Sequence, residues 1–409
     1  MEKSSKRAEY PGSIPGRRIP HHMNKQKASQ FYDKYYKTIL IIPALLLIFS
    51  LAYLGYFYQT TGDIMLKDIT LTGGSSITVY GDLKIDSLPS SINSELENVE
   101  VIQLYDIITQ KNIGILIETT TPPEEAKQIV ETIVGYKLTD DNSSVEFTGP
   151  LLSAGFYNQL ITAIIVAFLL MCLVVFIIFG ESREIKIYAS ILTLMNVAIL
   201  FQKISSVRSL VLYILLPILF IILFVIPKKL TSKWKWQIFA VLIVGYISLF
   251  FYPSIITLIL FSIALLAIYI LFSIPSLAVI LAAFTDMVMT LAIVDLLGIK
   301  ISSAGIVAFL MLIGYSVDTD IMLTNRIIRR TGEGSVNHHM FGAFKTGMSM
   351  TMTAILAVTA GLVLTFTLSK VLSQIFTIVL IGLFLDIFNT WITNACLLKW
   401  YVDAKEKRK

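Results

Sequence analysis

The chain has 409 residues, 55% of them hydrophobic and 15% charged, with a formal net charge of +5. That balance excludes an ordinary water-soluble globular protein, because many apolar runs approach or reach the roughly 20 residues needed to cross a bilayer. It also excludes a nucleic-acid footprint. The Lys and Arg residues gather at the termini and at the ends of apolar runs, which is the positive-inside pattern of membrane proteins. Cys172 and Cys396 both fall inside apolar runs, so no disulfide framework is expected.

Residues 1–37 are polar, punctuated by Pro and Gly, and basic, with nine Lys or Arg against three acids. They read as a disordered cytoplasmic arm attracted to anionic lipid. Residues 38–58 form a first span, too long and too far from the start to be a cleaved signal peptide. It is an anchor that places the next segment outside. Between residues 59 and 152 the composition becomes that of a folded aqueous domain. Residues 68–80 alternate like a strand and 87–97 are helical. Residues 99–107 and 113–119 read as strands joined by a polar turn at 110–112. Pro122 and Pro123 open a helix that carries Glu124 and Glu125 in its first turn, and 144–148 is a last strand. The order βαββαβ predicts an α+β, ferredoxin-like domain. Its acids Glu95, Glu97, Glu100 and Glu118 are expected on a solvated face.

The chain then returns to the membrane with a span at 156–179. Four shorter apolar segments follow at 187–202, 210–227, 236–252 and 254–272, an inserted block of about four extra helices. Lys228, Lys229, Lys233 and Lys235 assign one of its loops to the cytoplasm. Further spans are expected at 277–298, 302–326, 347–368 and 371–397, ahead of a basic cytoplasmic tail at 398–409. The 347–368 segment is rich in Thr, Ser, Ala and Gly, which lets membrane helices approach closely. Both termini are expected in the cytoplasm, and the whole chain in the cell membrane.

Ionisable residues within spans are rare and expensive, so each marks a candidate site. Asp286 lies mid-span in AAFTDMVMT. The next span carries Gly314, Tyr315, Ser316, Asp318, Asp320, Asn325 and Arg326. Asp318 and Asp320 point about 200° apart on a helix, whereas Asp318 and Asn325 share a face. The last span carries Asp386, with Asn389 and Thr390 at i+3 and i+4 and Asn394 beyond, as one polar stripe. Acids on adjacent helices, with Arg326 as a cation, are the parts of a protonation switch that biases two helix packings. The residues include no nucleophile constellation, metal-ligand spacing or phosphate loop, because the Gly73–Gly74 pair precedes a strand. No cofactor and no metal are expected, and the chain does not read as an enzyme.

In this order the parts resemble the SecF family, the smaller partner in SecD–SecF protein export. The resemblance rests on LTGG at 71–74, on FTGP at 147–150 just before the second span, and on Asp286 in its span. It rests also on Gly314–Tyr315–Ser316–Val317 with its polar continuation, and on Asn325–Arg326 at that helix's end. It covers about residues 38–180 and 277–400. Three departures stand out. Bacterial members read GIDFTGG where this chain has Thr70 in place of the acid. They read Asn-Asp-Thr where it has Asp318–Thr319–Asp320, a variant nearer the archaeal branch. The 187–272 block has no counterpart. The resemblance implies half of an RND-type transporter: a polytopic α-helical membrane protein with one extracytoplasmic domain. It would be an accessory of the Sec machinery that uses ion-motive force to promote translocation and membrane insertion. The implied partners are a SecD-type sibling, the Sec channel, translocating polypeptides and membrane lipid, with no nucleic acid. The competing expectations are a proton-coupled RND exporter of small molecules or lipids, and a scaffold whose polar residues merely join helices.

Overall fold

The computed structural model describes residues 32–83, 92–106, 109, 111–202, 255–329, 335–366 and 369–407. The first helix, α1 (Tyr32–Thr61), ends on Gly62, whose left-handed backbone (φ 78°) returns its N–H to the Tyr58 carbonyl. Residues 32–37 therefore belong to this helix and not to the basic arm expected there; residues 1–31 lie outside the described residues.

The segment expected as one strand over 68–80 is split. Asp68 accepts a hydrogen bond from the Ile69 N–H and caps a single helical turn, α2 (Ile69–Thr72). Gly73 reverses the chain at φ 85°, and strand β1 (Gly74–Tyr80) follows. Next come α3 (Ile92–Glu95), β2 (Glu100–Tyr105), β3 (Asn112–Thr119), α4 (Pro123–Val134) and β4 (Ser143–Thr148). The sheet order is β2-β3-β1-β4 with every pair antiparallel, the ferredoxin-like arrangement. Inward-pointing Ile77 and Val79 of β1 and Ile115 and Ile117 of β3 bury against Ala126 and Val130 of α4. On β1 the other face, Ser76, Thr78 and Tyr80, is more open, and this alternation fixes the register.

Gly73 and Gly74 are structural. A Cβ on Gly73 would stand 2.6 Å from the Pro150 Cα, and one on Gly74 2.3 Å from the Thr119 carbonyl oxygen. The LTGG and FTGP motifs thus meet where the chain enters and leaves the sheet domain. Gly73→Ala combines a left-handed backbone with a backbone clash, so it should cost on the order of 2 kcal/mol. A fall in the thermal unfolding midpoint of the purified protein would check this.

The remaining helices are α5 (Pro150–Phe179), α6 (Arg183–Gln202), α7 (Ile255–Phe272), α8 (Ile274–Leu296), α9 (Ser303–Ile328), α10 (Val336–Thr365) and α11 (Lys370–Phe388). A π turn at Asn389–Asn394 joins α11 to α12 (Ala395–Glu406). Serines open four of these helices: Ser273, Ser302, Ser335 and Ser369 each accept a hydrogen bond from a first-turn N–H. Six helical runs among the described residues are long and apolar enough to cross a membrane: α1, α5, α8, α9, α10 and the continuous run Lys370–Glu406. Two ends differ from expectation. The fifth run starts at Val336, because the Ser335 cap extends it upstream of residue 347. The last continues to Glu406, because buried Lys399 holds it against α1 through Asp33 at 2.6 Å.

Of the four inserted segments, the outer two are helices α6 and α7. They pack with α5 and α8 around Phe176, Tyr188, Leu192, Phe261, Leu265, Tyr269 and Val279. The segments expected at 210–227 and 236–252 lie outside the described residues. The centre of the bundle is α9, which packs against α5, α8, α10 and α11. Small residues allow the closest approaches. A Cβ on Gly382 of α11 would stand 2.4 Å from a Leu312 methyl of α9. We expect Gly382→Val to destabilise the bundle by about 1–3 kcal/mol through overpacking, and Gly382→Val with Leu312→Ala to recover much of the loss in the same thermal assay.

Candidate functional site

Where α8, α9 and α11 meet, three carboxylates lie inside the bundle: Asp286 and Asp320 are completely buried and Asp386 is 1% exposed. Their helical faces explain this. On α9 the buried set Leu312, Ser316, Asp320, Leu323, Thr324 and Ile327 repeats at three- and four-residue intervals, a single stripe facing α8 and α11. Asp318 lies on the other side, exposed together with Gly314, Tyr315 and Asn325. Of the two acids in that helix, the structure brings Asp320 into the cluster and leaves Asp318 on the outward face.

Each carboxylate is held by neutral donors. Ser316 Oγ donates to Asp286 Oδ2 at 2.5 Å, and Asn389 Nδ2 donates to Asp286 Oδ1 at 2.6 Å. Asp320 Oδ1 accepts from Asn394 Nδ2 at 2.8 Å and from Thr390 Oγ1 at 2.9 Å. Thr390 Oγ1 is also 3.2 Å from Asp386 Oδ1, and Ser316 bonds Asp386 as well. Two hydroxyls, each with one proton, thus link three carboxyl groups in a chain Asp286–Ser316–Asp386–Thr390–Asp320. One hydroxyl proton cannot serve two carboxylates at once, so completing every link requires a proton on a carboxyl group. Among the described residues, Asp320 Oδ2 and Asn394 Oδ1 are buried without a hydrogen-bond partner.

The cation expected beside these acids is elsewhere. Arg326 is exposed near the end of α9 and donates through Nη1 to the Gly342 carbonyl of α10 at 2.8 Å. Among the described residues no group of three or more His, Cys, Asp or Glu has the placement to hold a metal ion. The π turn supplies what side-chain spacing on an α-helix does not. Asn389 and Asn394 are five residues apart and would point about 140° apart on an α-helix. The wider i→i+5 turn puts them one turn apart, so both amides face the acids. Such turns frequently accompany functional sites.

A second group of charges lies where the sheet domain meets the bundle, and it corrects the expectation of a solvated acidic face. Glu95 and Glu97 are exposed, but Glu118 is 7% exposed and bonds the Lys370 ammonium. Glu100 pairs with Lys300 at 3.0 Å and with Lys370 at 3.4 Å. The connector before the sheet is stitched to the same end of the bundle. Asp295 accepts from the Leu66 N–H, Asp68 N–H donates to the Ile301 carbonyl, and Thr70 Oγ1 accepts from the Ser303 N–H at the start of α9. The residue that departs from the GIDFTGG pattern therefore helps cap a membrane helix.

Residues 243–404, which contain α7 to α11, most of α12 and all three buried acids, match the family model "Protein export membrane protein SecD/SecF, C-terminal". Over that stretch the chain is similar to the SecD/SecF family. Similar relatives are two proteins named "Protein-export membrane protein SecF". The one from Methanolacinia petrolearia is 46% identical over 136 residues, 33% of this chain and 47% of that protein. The one from Methanothermobacter thermautotrophicus is 45% identical over 135 residues, 32% and 47% of the respective chains. The chain spans about half the length of the curated relatives it matches. A distant structural likeness, with TM-score 0.49 and 14% identity over 90% of this chain and 38% of the other, is to the crystal structure of SecDF, described as a translocon-associated membrane protein, from Thermus thermophilus.

Proposed function

We propose that this protein is the SecF-type accessory subunit of a Sec export machinery. It acts with a SecD-type sibling beside the translocation channel, promotes translocation and membrane insertion of polypeptide chains, and draws on ion-motive force. The observation that carries the reading is the buried chain of three carboxylates, which lies inside the segment that matches the SecD/SecF model. Carboxyl groups at such depth are costly, and that cost marks them as a functional site. They join α8, α9 and α11, so charging or neutralising one of them changes the relative stability of two helix packings. The sheet domain is seated on the ends of α9 and α11 and is placed to follow a shift of those helices. We read the sheet as extracytoplasmic and both termini as cytoplasmic, since Arg183, Lys186, Arg326, Arg329 and Lys399 gather at the end opposite the sheet. The activity is non-enzymatic in this reading.

The test is purification of the full-length protein from its own membranes in mild detergent. A larger sibling with the same helical half, with or without channel subunits, is the expected companion. Self-association alone would remove the heteromeric picture.

A further inference from the structure

Five charged side chains gather between the sheet domain and the bundle. Lys370, the first residue of α11, bonds Glu118 of β3 and stands 3.4 Å from Glu100 of β2 and 3.9 Å from Asp68 before α2. Lys300, in the connection between α8 and α9, stands 3.0 Å from Glu100. These are the charged groups that face Glu118 from the sheet, the connector and the bundle. The three carboxylates come from the sheet domain and its connector, and both ammonium groups come from the bundle, so every pair crosses the junction. With all five groups ionised the acids outnumber the cations by one. The excess has nowhere to go, because Glu100 and Glu118 are directly opposed in the β2–β3 register and Glu118 and Asp68 are 7% and 4% exposed.

We propose that this cluster is a proton-operated clasp: it seats the sheet domain on the ends of α9 and α11 when it holds one proton, and slackens when that proton leaves. The proton belongs to Glu118. Burial pushes its carboxyl up to about 7, with Asp68 adding to the shift and Lys370 opposing it. Burial works against ionised Glu100 too, but Lys300 and Lys370 together hold it below the usual carboxylate range, so Glu100 keeps its charge. A neutral Glu118 leaves two carboxylates to two ammonium groups.

The sign follows from linkage. A carboxyl raised on seating, from its ordinary 4.5 to about 7, takes up a proton as the domain docks. The stabilisation is complete below the ordinary value and is lost as pH rises through about 7. Acidity on the sheet-domain side therefore favours the seated arrangement, and the seating equilibrium should weaken about tenfold between pH 6 and pH 8. The inference is independent of any role in export.

The experiment uses the full chain in lipid nanodiscs, with Cys172 and Cys396 replaced by Ala. Spin labels are attached through Tyr105→Cys on the exposed end of β2 and Leu297→Cys beside the α8–α9 connection. Pulsed dipolar spectroscopy at pH 6 should give one narrow distance. At pH 8 a longer, broader component should grow about tenfold relative to it. Glu118→Gln keeps a partner for Lys370 without the charge, so its distribution should stay narrow at both pH values. Asp68→Asn removes the excess charge from the other side and should also blunt the response, whereas exposed Glu95→Gln should leave it intact. An unchanged wild-type distribution across this range, or a Glu118→Gln variant with the wild-type response, would overturn the clasp.

Discussion

Asp286→Asn should abolish the export activity proposed for this protein while leaving it folded. The replacement is close to isosteric, and the site can accept it. The amide oxygen takes the bond now given by Asn389 Nδ2, and the amide nitrogen donates to Ser316 Oγ, whose proton is then free for Asp386. The thermal midpoint should therefore move by only a few degrees, equivalent to less than about 1 kcal/mol. What the variant cannot do is change charge. If ionisation of this chain of acids biases two helix packings, secretion of a reporter should fall at least tenfold, to the level of cells lacking the protein. Asp286→Leu differs in kind. It leaves the Asn389 amide without its carboxylate acceptor at a cost of about 1–3 kcal/mol, while Ser316 keeps Asp386, and so lowers stability as well as export. Normal secretion by a folded Asp286→Asn protein would remove ionisation at this position from the mechanism, leaving the acid as a joint between helices.

The parts of this fold that were legible in the sequence are those with short-range causes. Apolar runs announced the membrane helices, and the alternation and turn residues of 74–148 announced the sheet. Asp286 stood out because nothing near it could solvate it. The choice between Asp318 and Asp320 was a different matter. Two acids two residues apart must face opposite ways, but local composition did not say which way was inward. The signal was present in the wider pattern: Asp320 continues the stripe of Leu312 and Ser316, while Asp318 continues that of Gly314 and Asn325. Glu118 was not legible at all, because its partner Lys370 is 252 residues further on, in another element. An acid on a strand reads as solvated until the surface that covers it is known. The π turn was equally hidden, since its residues are compatible with a continuous helix and only their partners on α8 and α9 favour the wider turn.

That hidden turn makes the second large effect. Inserting an Ala after Ile392 adds a residue that the turn cannot absorb and should rotate everything beyond it by about 100° relative to α11. Asn394 would leave Asp320, whose Oδ1 would retain only Thr390. Beyond the turn, Lys399 would leave Asp33 and Asn337, and Cys396 would leave the Tyr32 hydroxyl, so α12 would come away from α1 and α10. Lys399 is buried while Asp33 is half exposed, so losing this pair costs about 1–3 kcal/mol, mainly by leaving the ammonium without its partners, and the poorly satisfied Asp320 carboxylate adds to it. The insertion variant should therefore unfold at a temperature well below the parent or fail to accumulate in the membrane. Two comparisons separate the turn from the side chains it carries. Asn394→Ala loses one amide from Asp320 but keeps the rotation of α12, so it should cost only about 1–3 kcal/mol and keep the Lys399–Asp33 contact. Deleting Ile392 from the insertion variant should restore both accumulation and stability, because it is the count of residues in the turn that aims Asn389 and Asn394 together. An insertion variant as stable as the parent would show that the acids do not depend on the residue count of this turn for their partners.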